Sequence, residues 1–527
     1  MSFAVRIAIT VSFFALSCAA PLTPCSVAPP PLATAVSPES RQGPPPQDSL
    51  VHAAGLSFAV RARPFANLAY HLDCLASTIP CEEKAFHAFW DTGWTPEDAA
   101  ALTEWKEIRE KYDVSAPVAV DAGPTGMPLP RVGVDVDKLL RIAALLADTV
   151  DDYRRNLRVL LPEVDAARLC RVAAHFSPRF EAFWSGSGEP VATRFRTGLE
   201  GLFAKGDLPL ILARASRFYG LHLAPGSVVS FDVMVVPTSS KHSNGQQILS
   251  HGVIEVAGDE APEDRMDVVC HELFHFFYAS RTQEQQAALM KRFFTSNDPL
   301  EELAYALLDE SVATALGNGV VARTVNPSDY AARLSRDMGF YNLHAIDATA
   351  KGLLTRTAMD PTLGPPLDSP ETVAALVAST RDAVGADPPP LEYLRDMAAA
   401  FEPGWGSVSM KELIGRAHAN HVRTFKPVDS AEAVAMAVDH ASLPFVLVVR
   451  RDRLAQLAAY GDAIPKAERA AIGVAAKKRG PFAYTFRRTP DSWMFVLVAD
   501  TREDAKRAAD ALFLAPHVTP GLLRPPL

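Results

Sequence analysis

The run from Val268 to Ala279 reads VVCHELFHFFYA and is almost wholly apolar, apart from two histidines four residues apart and a glutamate directly after the first. A helix is favoured here because Pro262 suits its first turn, and the two acidic residues that follow complement the positive end of the helix dipole. Positions four apart on a helix lie one turn above each other on the same face. The spacing therefore predicts that His271 and His275 can meet the same metal ion.

The stretch from His271 to His275 fits the H-E-x-x-H pattern. Glu272, next to the first histidine, is placed to lean over the same ion and accept a proton from a bound water, as hydrolytic zinc chemistry requires. However, the wet face of an ordinary amphipathic helix gives the same spacing. The residues that follow this stride of three and four are Asp264, Asp267, His271, His275, Tyr278 and Thr282.

A hydrolytic zinc site also needs a third protein ligand. The later segment LLDESVATALGNG offers Glu310, and its helical neighbours are small or apolar: Ala306, Leu307, Ala313 and Gly317. A carboxylate on such a face is costly unless it is paired or bound to a metal. Glu310 is therefore the predicted third ligand, whereas Glu301, Glu302 and Asp309 are expected to point to solvent.

Together these features resemble the gluzincin group of zinc metallopeptidases. In that group a strand at the sheet edge, here the run from Gln246 to Ala257, precedes an HExxH helix and a glutamate ligand on a following helix. The resemblance covers about residues 208–350. It implies a zincin-like fold in which His271, His275 and Glu310 bind Zn²⁺.

The resemblance also implies roles for single residues. Glu272 would be the general base and later the proton donor. Gluzincins often carry an aspartate four residues after the ligand glutamate, where it orients the first histidine, and Thr314 stands at that position here. The tetrahedral intermediate of peptide hydrolysis needs a donor for its oxyanion. The candidates are Tyr341 and His344, followed by Tyr330.

The chain is thus predicted to be an exported zinc-dependent peptidase that hydrolyses peptide bonds in a peptide or protein substrate. A peptide is the default substrate because an extended edge strand can pair with it as an added strand. The alternative is a non-catalytic envelope protein that binds partners and keeps a degenerate or structural metal site. Nucleic acid is not expected as a partner, because the net charge is −9 and no long Lys/Arg block occurs.

Residues 1–18 have the layout of an export signal: Arg6 precedes an apolar stretch that ends in small residues. That stretch is shorter than the roughly 20 residues that a membrane-spanning helix needs. Its end, Phe14 to Cys18, also resembles the lipobox of bacterial lipoproteins. Two outcomes follow, which are membrane attachment through a lipid on Cys18 and plain secretion.

The predicted fold class is α+β, with a mostly helical zincin-like core that holds a small sheet, and a C-terminal α/β sandwich module. The predicted segments are a Pro-rich linker at 19–50, a mainly helical region at 51–225, a catalytic domain at 226–425 and an accessory domain at 428–527. Within the accessory domain, strands are predicted at 444–450, 482–488 and 493–500, and helices at 430–441, 453–478 and 502–514.

Export also makes disulfide bonds between the cysteines an expectation, because disulfides persist outside the cytoplasm. Cys74 and Cys81 are close enough in sequence to close a small loop and form the favoured bridge. Cys170 and Cys270 lie in helical, apolar surroundings. They are expected to be inert core thiols rather than metal ligands.

Overall fold

Helices dominate the computed structural model, with two sheets set among them. It describes residues 50–53, 56–76, 78–79, 83–112, 136–204, 206–221, 228–237, 245–295, 298–385, 397–405, 422–439, 441, 443–489, 492–513 and 519–525. The elements before residue 260 are β1 Leu50–Ala53, β2 Leu56–Arg61, α1 Pro64–Leu75, α2 Glu83–Asp91, α3 Pro96–Tyr112, α4 Val136–Leu145, α5 Val150–Leu157, α6 Glu163–Phe183, α7 Glu189–Ala204, α8 Leu208–Phe218, β3 Val228–Val236, β4 Gly245–Ile248 and β5 His251–Ala257.

The middle of the chain is helical, and the last part is mixed. The helices from residue 266 onward are α9 Met266–Ala279, α10 Gln283–Phe293, α11 Pro299–Thr314, α12 Ala322–Val325, α13 Pro327–Ser335, α14 His344–Arg356 and α15 Pro370–Val384. They are followed by β6 Met397–Phe401, β7 Val422–Pro427, α16 Ala431–Asp439, β8 Phe445–Arg450, α17 Lys466–Ala476, β9 Phe482–Thr489, β10 Ser492–Ala499, α18 Arg502–Phe513 and β11 Gly521–Leu523.

The first sheet is mixed and has the strand order β1-β2-β3-β5-β4. The predicted single strand from Gln246 to Ala257 is wrong, because this run forms the antiparallel hairpin of β4 and β5. The chain reverses at Leu249, whose φ of 54° lies in the left-handed region and gives no glycine signal in the sequence. Strand β4 is thereby the last strand at one edge of the sheet.

Helix α1 ties the N-terminal region to this sheet. Its Asn67 donates to Val233 O at 3.0 Å and accepts from Val235 N at 2.7 Å, so the amide continues the ladder of β3 beyond the end of β2. Residues of one hydrophobic cluster run from Phe58 to Leu376. The predicted segments 51–225 and 226–425 therefore share one sheet and one core instead of folding as separate layers.

The second sheet forms the C-terminal module, with the order β11-β9-β10-β8-β6-β7. Apolar side chains cover both of its faces, one against α18 and the other against α16, α17 and the 3₁₀ segment Arg451–Ala463. The sheet begins with β6 at Met397, earlier than the predicted boundary at 428. The predicted α+β class is confirmed: helices accompany two mixed sheets.

The cysteine predictions fall partly on described residues. Cys74 is disulfide-bonded, while its predicted partner Cys81 lies outside the described residues, as do Cys18, the export signal and nearly all of the Pro-rich linker. Cys170 and Cys270 are free and buried, as expected, and burial raises the pKa of the Cys170 thiol to about 11. No helix in the described part of the chain is long and apolar enough to cross a membrane.

Candidate metal site

Helix α9, which carries the HExxH pattern, lies inside the protein. Asp267, His271 and Glu272 are only 4%, 7% and 6% exposed, so the middle of the polar stripe does not form the wet face of an ordinary amphipathic helix. Burying several ionisable groups is costly unless they are paired with one another or with a metal. The stripe therefore requires partners from the helices that pack on α9.

The partner is a continuous helix made of α11, the π-helical segment Ala315–Val321 and α12. The π segment approaches α9 closely at Gly317, because a Cβ atom there would lie 2.8 Å from both Asp267 O and His271 N. Only a residue without a side chain fits against the neighbouring backbone at this distance. The close approach brings the polar stripe of α9 into contact with α11.

Three side-chain atoms converge between these two helices. His271 Nε2 and His275 Nε2 lie 3.0 Å apart, and Glu310 Oε2 lies 3.5 Å from the first and 3.6 Å from the second. A triangle with these sides has a circumscribed radius of about 2 Å, close to the Zn–N and Zn–O bond lengths in proteins. Among the described residues, these three side chains form a group that could hold a metal ion.

Each histidine is held at its other ring nitrogen. His271 Nδ1 lies 3.0 Å from Asn318 Oδ1, and His275 Nδ1 lies 3.1 Å from Asp309 Oδ1. Metal-binding histidines typically have such a partner, which fixes the tautomer and leaves Nε2 free for the ion. The prediction that Asp309 points only to solvent is therefore wrong, and so is that for Glu302, which is 2% exposed.

Asn318, and not the predicted Thr314, contacts Nδ1 of His271. Thr314 is fully buried, and its Oγ1 has no hydrogen-bond partner among the described residues. A π turn advances fewer degrees per residue than an α turn, so the segment after Thr314 brings Asn318 back toward the face that carries Glu310. A strictly α-helical count misses this residue. The only signal in the sequence is the Gly-Asn-Gly run at 317–319.

The charges within the group favour a bound cation. Burial raises the pKa of the Glu310 carboxyl, but the imidazoles of His275 and His271 outweigh it, and the net direction is well below the usual value. For His275 burial lowers the pKa, but Asp309 and Glu310 outweigh this and hold it well above the usual value. Glu310 Oε2 is buried and has no hydrogen-bond partner of normal geometry in the described chain. The donor set of two imidazoles and one carboxylate fits zinc.

Glu272 lies beside the three ligands and against the edge strand. Burial raises the pKa of its carboxyl, and the nearby imidazoles of His271 and His275 only partly offset this. A Cβ on Gly245, the first residue of β4, would come within 2.7 Å of Glu272 Oε1. The carboxylate therefore lies close to both the predicted ligands and the start of the sheet edge.

The predicted oxyanion donors are placed differently from one another. Tyr341 stacks on His271, with ring centroids 6.1 Å apart and planes 20° from parallel. Burial and then the Glu310 charge raise the pKa of its hydroxyl well above the usual value, so it remains a donor. His344 instead contacts Asp337, with Nδ1 2.8 Å from Oδ1, and Tyr330 stacks on Phe340. Tyr341 alone of these three stacks on a predicted ligand.

The chain was also compared with known proteins. No family model matches the sequence, and no curated protein or solved structure matches the chain. The chemistry of the site is therefore inferred from its geometry alone.

Proposed function

We propose that this protein is a zinc-dependent peptidase whose active site lies between α9 and α11. The observation that carries the proposal is the convergence of His271 Nε2, His275 Nε2 and Glu310 Oε2 on one point, with both Nδ1 atoms held by other side chains. A structural zinc site is usually closed by four protein ligands, whereas a catalytic site has three and leaves one position open. Three ligands favour catalysis.

Zn²⁺ bound there would act as a Lewis acid toward a substrate carbonyl and would make a water molecule more acidic. Glu272 would accept the proton of the attacking water and then deliver it to the leaving amine. Its raised pKa suits both steps, since a carboxyl that holds a proton more firmly than usual is a better base and remains able to return it. Tyr341 would donate a hydrogen bond to the oxyanion.

The substrate class follows from the sheet edge. Among the described residues β4 is the last strand of its sheet, so its outer edge could take an added strand, and its Gly245 end lies against Glu272. A peptide paired with β4 would run past the base with its carbonyl groups in the plane of the sheet. We therefore propose an extended peptide as the substrate. Export, with or without a lipid on Cys18, remains part of the proposal.

The proposal is tested by changing the base without changing the ligands. Glu272→Gln should keep one zinc per chain and lower kcat/KM on a mixed peptide library by about 100- to 10,000-fold, the usual contribution of a general base. Glu263→Gln is the matched control, because it makes the same charge change at an exposed position just before α9.

Two results count against the proposal. If the wild-type protein holds no zinc, the proposed metal site is excluded. A wild-type protein that holds zinc but has the same low peptidase activity as Glu272→Gln has a structural metal site, as a non-catalytic binding protein would.

A further inference from the structure

A line of polar contacts leads from His271 away from the metal ligands. His271 Nδ1 meets Asn318 Oδ1 at 3.0 Å, and Asn318 Nδ2 donates to Asp267 Oδ2 at 2.9 Å. Arg333 Nη1 donates to the same Asp267 oxygen at 2.8 Å. Arg333 Nε in turn lies 2.8 Å from Asp329 Oδ2. The line runs from the interior at α9 through the π segment to α13.

The direction of each hydrogen bond in this line is determined by chemistry. Arg333 can only donate, so the Asp267 oxygen that it contacts accepts. The amide of Asn318 has a donor end and an acceptor end, and its donor end faces this accepting oxygen. Its oxygen is thereby left facing His271 Nδ1, where it can only accept. The proton of neutral His271 then belongs on Nδ1, and Nε2 carries the lone pair.

We propose that Asp267, held by Arg333, is a positioning residue that orients the Asn318 amide and through it selects the metal-binding tautomer of His271. This inference rests on the proposed zinc site. The position of Asp267 supports it, since this residue lies one helical turn before His271 on the same helix and is 4% exposed.

The critical variant is Asp267→Leu, which removes the oxygen that accepts from both Arg333 and Asn318. The donor end of the Asn318 amide then has no carboxylate to hold its direction. The amide can turn over and present its NH₂ group to His271 Nδ1. That nitrogen must then accept, and the proton moves to Nε2, where it blocks the metal. Zinc affinity is expected to fall by about 10- to 100-fold, the usual effect of losing an outer partner.

A double variant separates orientation from packing. In Asp267→Leu with Asn318→Asp, the carboxylate at 318 accepts from His271 Nδ1 in either orientation and needs no partner at 267 to orient it. The net charge equals that of the wild type. Zinc affinity should return to within about threefold of the wild-type value, and the visible spectrum of the Co²⁺-substituted protein should return with it. Asp329→Asn is the matched single control, because it removes one charge from the other side of Arg333.

Zinc affinity is measured by competition with a chromophoric chelator, on full-length protein. If Asp267→Leu binds zinc as tightly as Asp329→Asn, or if the double variant stays as weak as Asp267→Leu, the orienting role is overturned while the zinc site stands. If the wild-type protein itself binds no zinc, the proposed function fails and this inference fails with it.

Discussion

The helix pair of α9 and α11 and the C-terminal sheet both bury many side chains, but these side chains differ in polarity. In the central strand β10 the side chains from Trp493 to Ala499 are apolar and almost fully buried, and they pack against helices on both faces. On α9 the buried positions include Asp267, His271 and Glu272. Burial of apolar side chains stabilises a fold directly, whereas burial of charges stabilises it only when each charge has a partner.

This contrast indicates which region is the better candidate for a functional site. The sheet is explained once its apolar surface is covered. In the helix pair, Glu310 Oε2 lies near two imidazole nitrogens without a hydrogen bond of normal geometry in the described chain, and we propose that a cation joins these three atoms. Substitutions in the two regions should therefore have different consequences, and this expectation can be tested.

The largest effect is expected for Glu310→Gln, which removes a ligand and its charge. Zinc affinity should fall by more than about 100-fold, beyond the 10- to 100-fold range of outer partners. Competition with a chelator measures it. Glu301→Gln makes the same change in the first turn of α11 and should alter affinity by less than about threefold. Equal effects of the two variants would remove Glu310 from the site.

The sheet should respond in stability alone. Leu497→Ala removes a fully buried side chain from β10 and should lower the free energy of unfolding by about 2–5 kcal/mol. The zinc affinity of the folded protein should stay unchanged. Denaturant unfolding and zinc titration of the same variant check this. A large loss of affinity in Leu497→Ala would contradict the separation of the two regions.

Adding a single methyl group to the helix pair should change both the stability and the zinc affinity. Gly317→Ala places a Cβ 2.8 Å from the backbone of α9, so the helices must move apart at a cost of about 1–3 kcal/mol. Because His271 and Asn318 lie on the two sides of this contact, zinc affinity should fall as well. Gly473→Ala on α17 is the control, since nothing lies within 4 Å of its added methyl group. Unchanged zinc affinity in Gly317→Ala would weaken the geometric argument.

The smallest effect is a pH dependence of the zinc-free protein. His275 has a raised pKa, so its contribution to stability is complete below its unfolded value near pH 6.5 and is lost as the pH rises through the folded value. Glu310 has a lowered pKa, so its contribution is present above about pH 4.5 and is lost as the pH falls through the folded value. Glu272 has a raised pKa, so its contribution is complete below about pH 4.5 and is lost as the pH rises through the folded value.

The effect of Asp309 on the pKa of His275 is isolated by comparing the wild type with Asp309→Asn over a range of pH. The wild type minus Asp309→Asn difference in unfolding free energy should be largest between about pH 4.5 and 6.5 and should shrink as the pH rises. Urea unfolding of chelator-treated protein at several pH values measures it. A difference that stays constant from pH 5 to 9 would show that Asp309 and His275 are not coupled.

Local spacing predicts the convergence of His271, His275 and Glu310 better than it predicts the side chains that contact them. The histidines lie on one turn of one helix, and the face of Glu310 is defined by its near neighbours, so a regular helical period was sufficient. Asn318 follows a change of period at the π segment, which no count of 3.6 residues per turn anticipates. In the sequence Asp267 is only one member of a polar stripe, because its partners Asn318 and Arg333 lie on other helical segments.

Strands are predicted where a short apolar run has a clear boundary at each end. The predicted strands at 444–450, 482–488 and 493–500 match β8, β9 and β10 closely. The β4–β5 hairpin was missed because its turn lacks glycine, and the predicted helix at 453–478 is divided by Gly461, where φ is 50° and ψ is −123°. Strands β1, β2, β6, β7 and β11 were missed because long-range pairing, rather than local pattern, defines them.

The central claim is that one zinc ion lies between α9 and α11. The most direct measurement is crystallographic anomalous scattering at the zinc absorption edge, on protein purified without added chelator. The account predicts one peak per chain, about 2 Å from His271 Nε2, His275 Nε2 and Glu310 Oε2, and none in crystals of Glu310→Gln. A map of zinc-supplied wild-type crystals with no peak at these three atoms, or with its peak elsewhere, would contradict it.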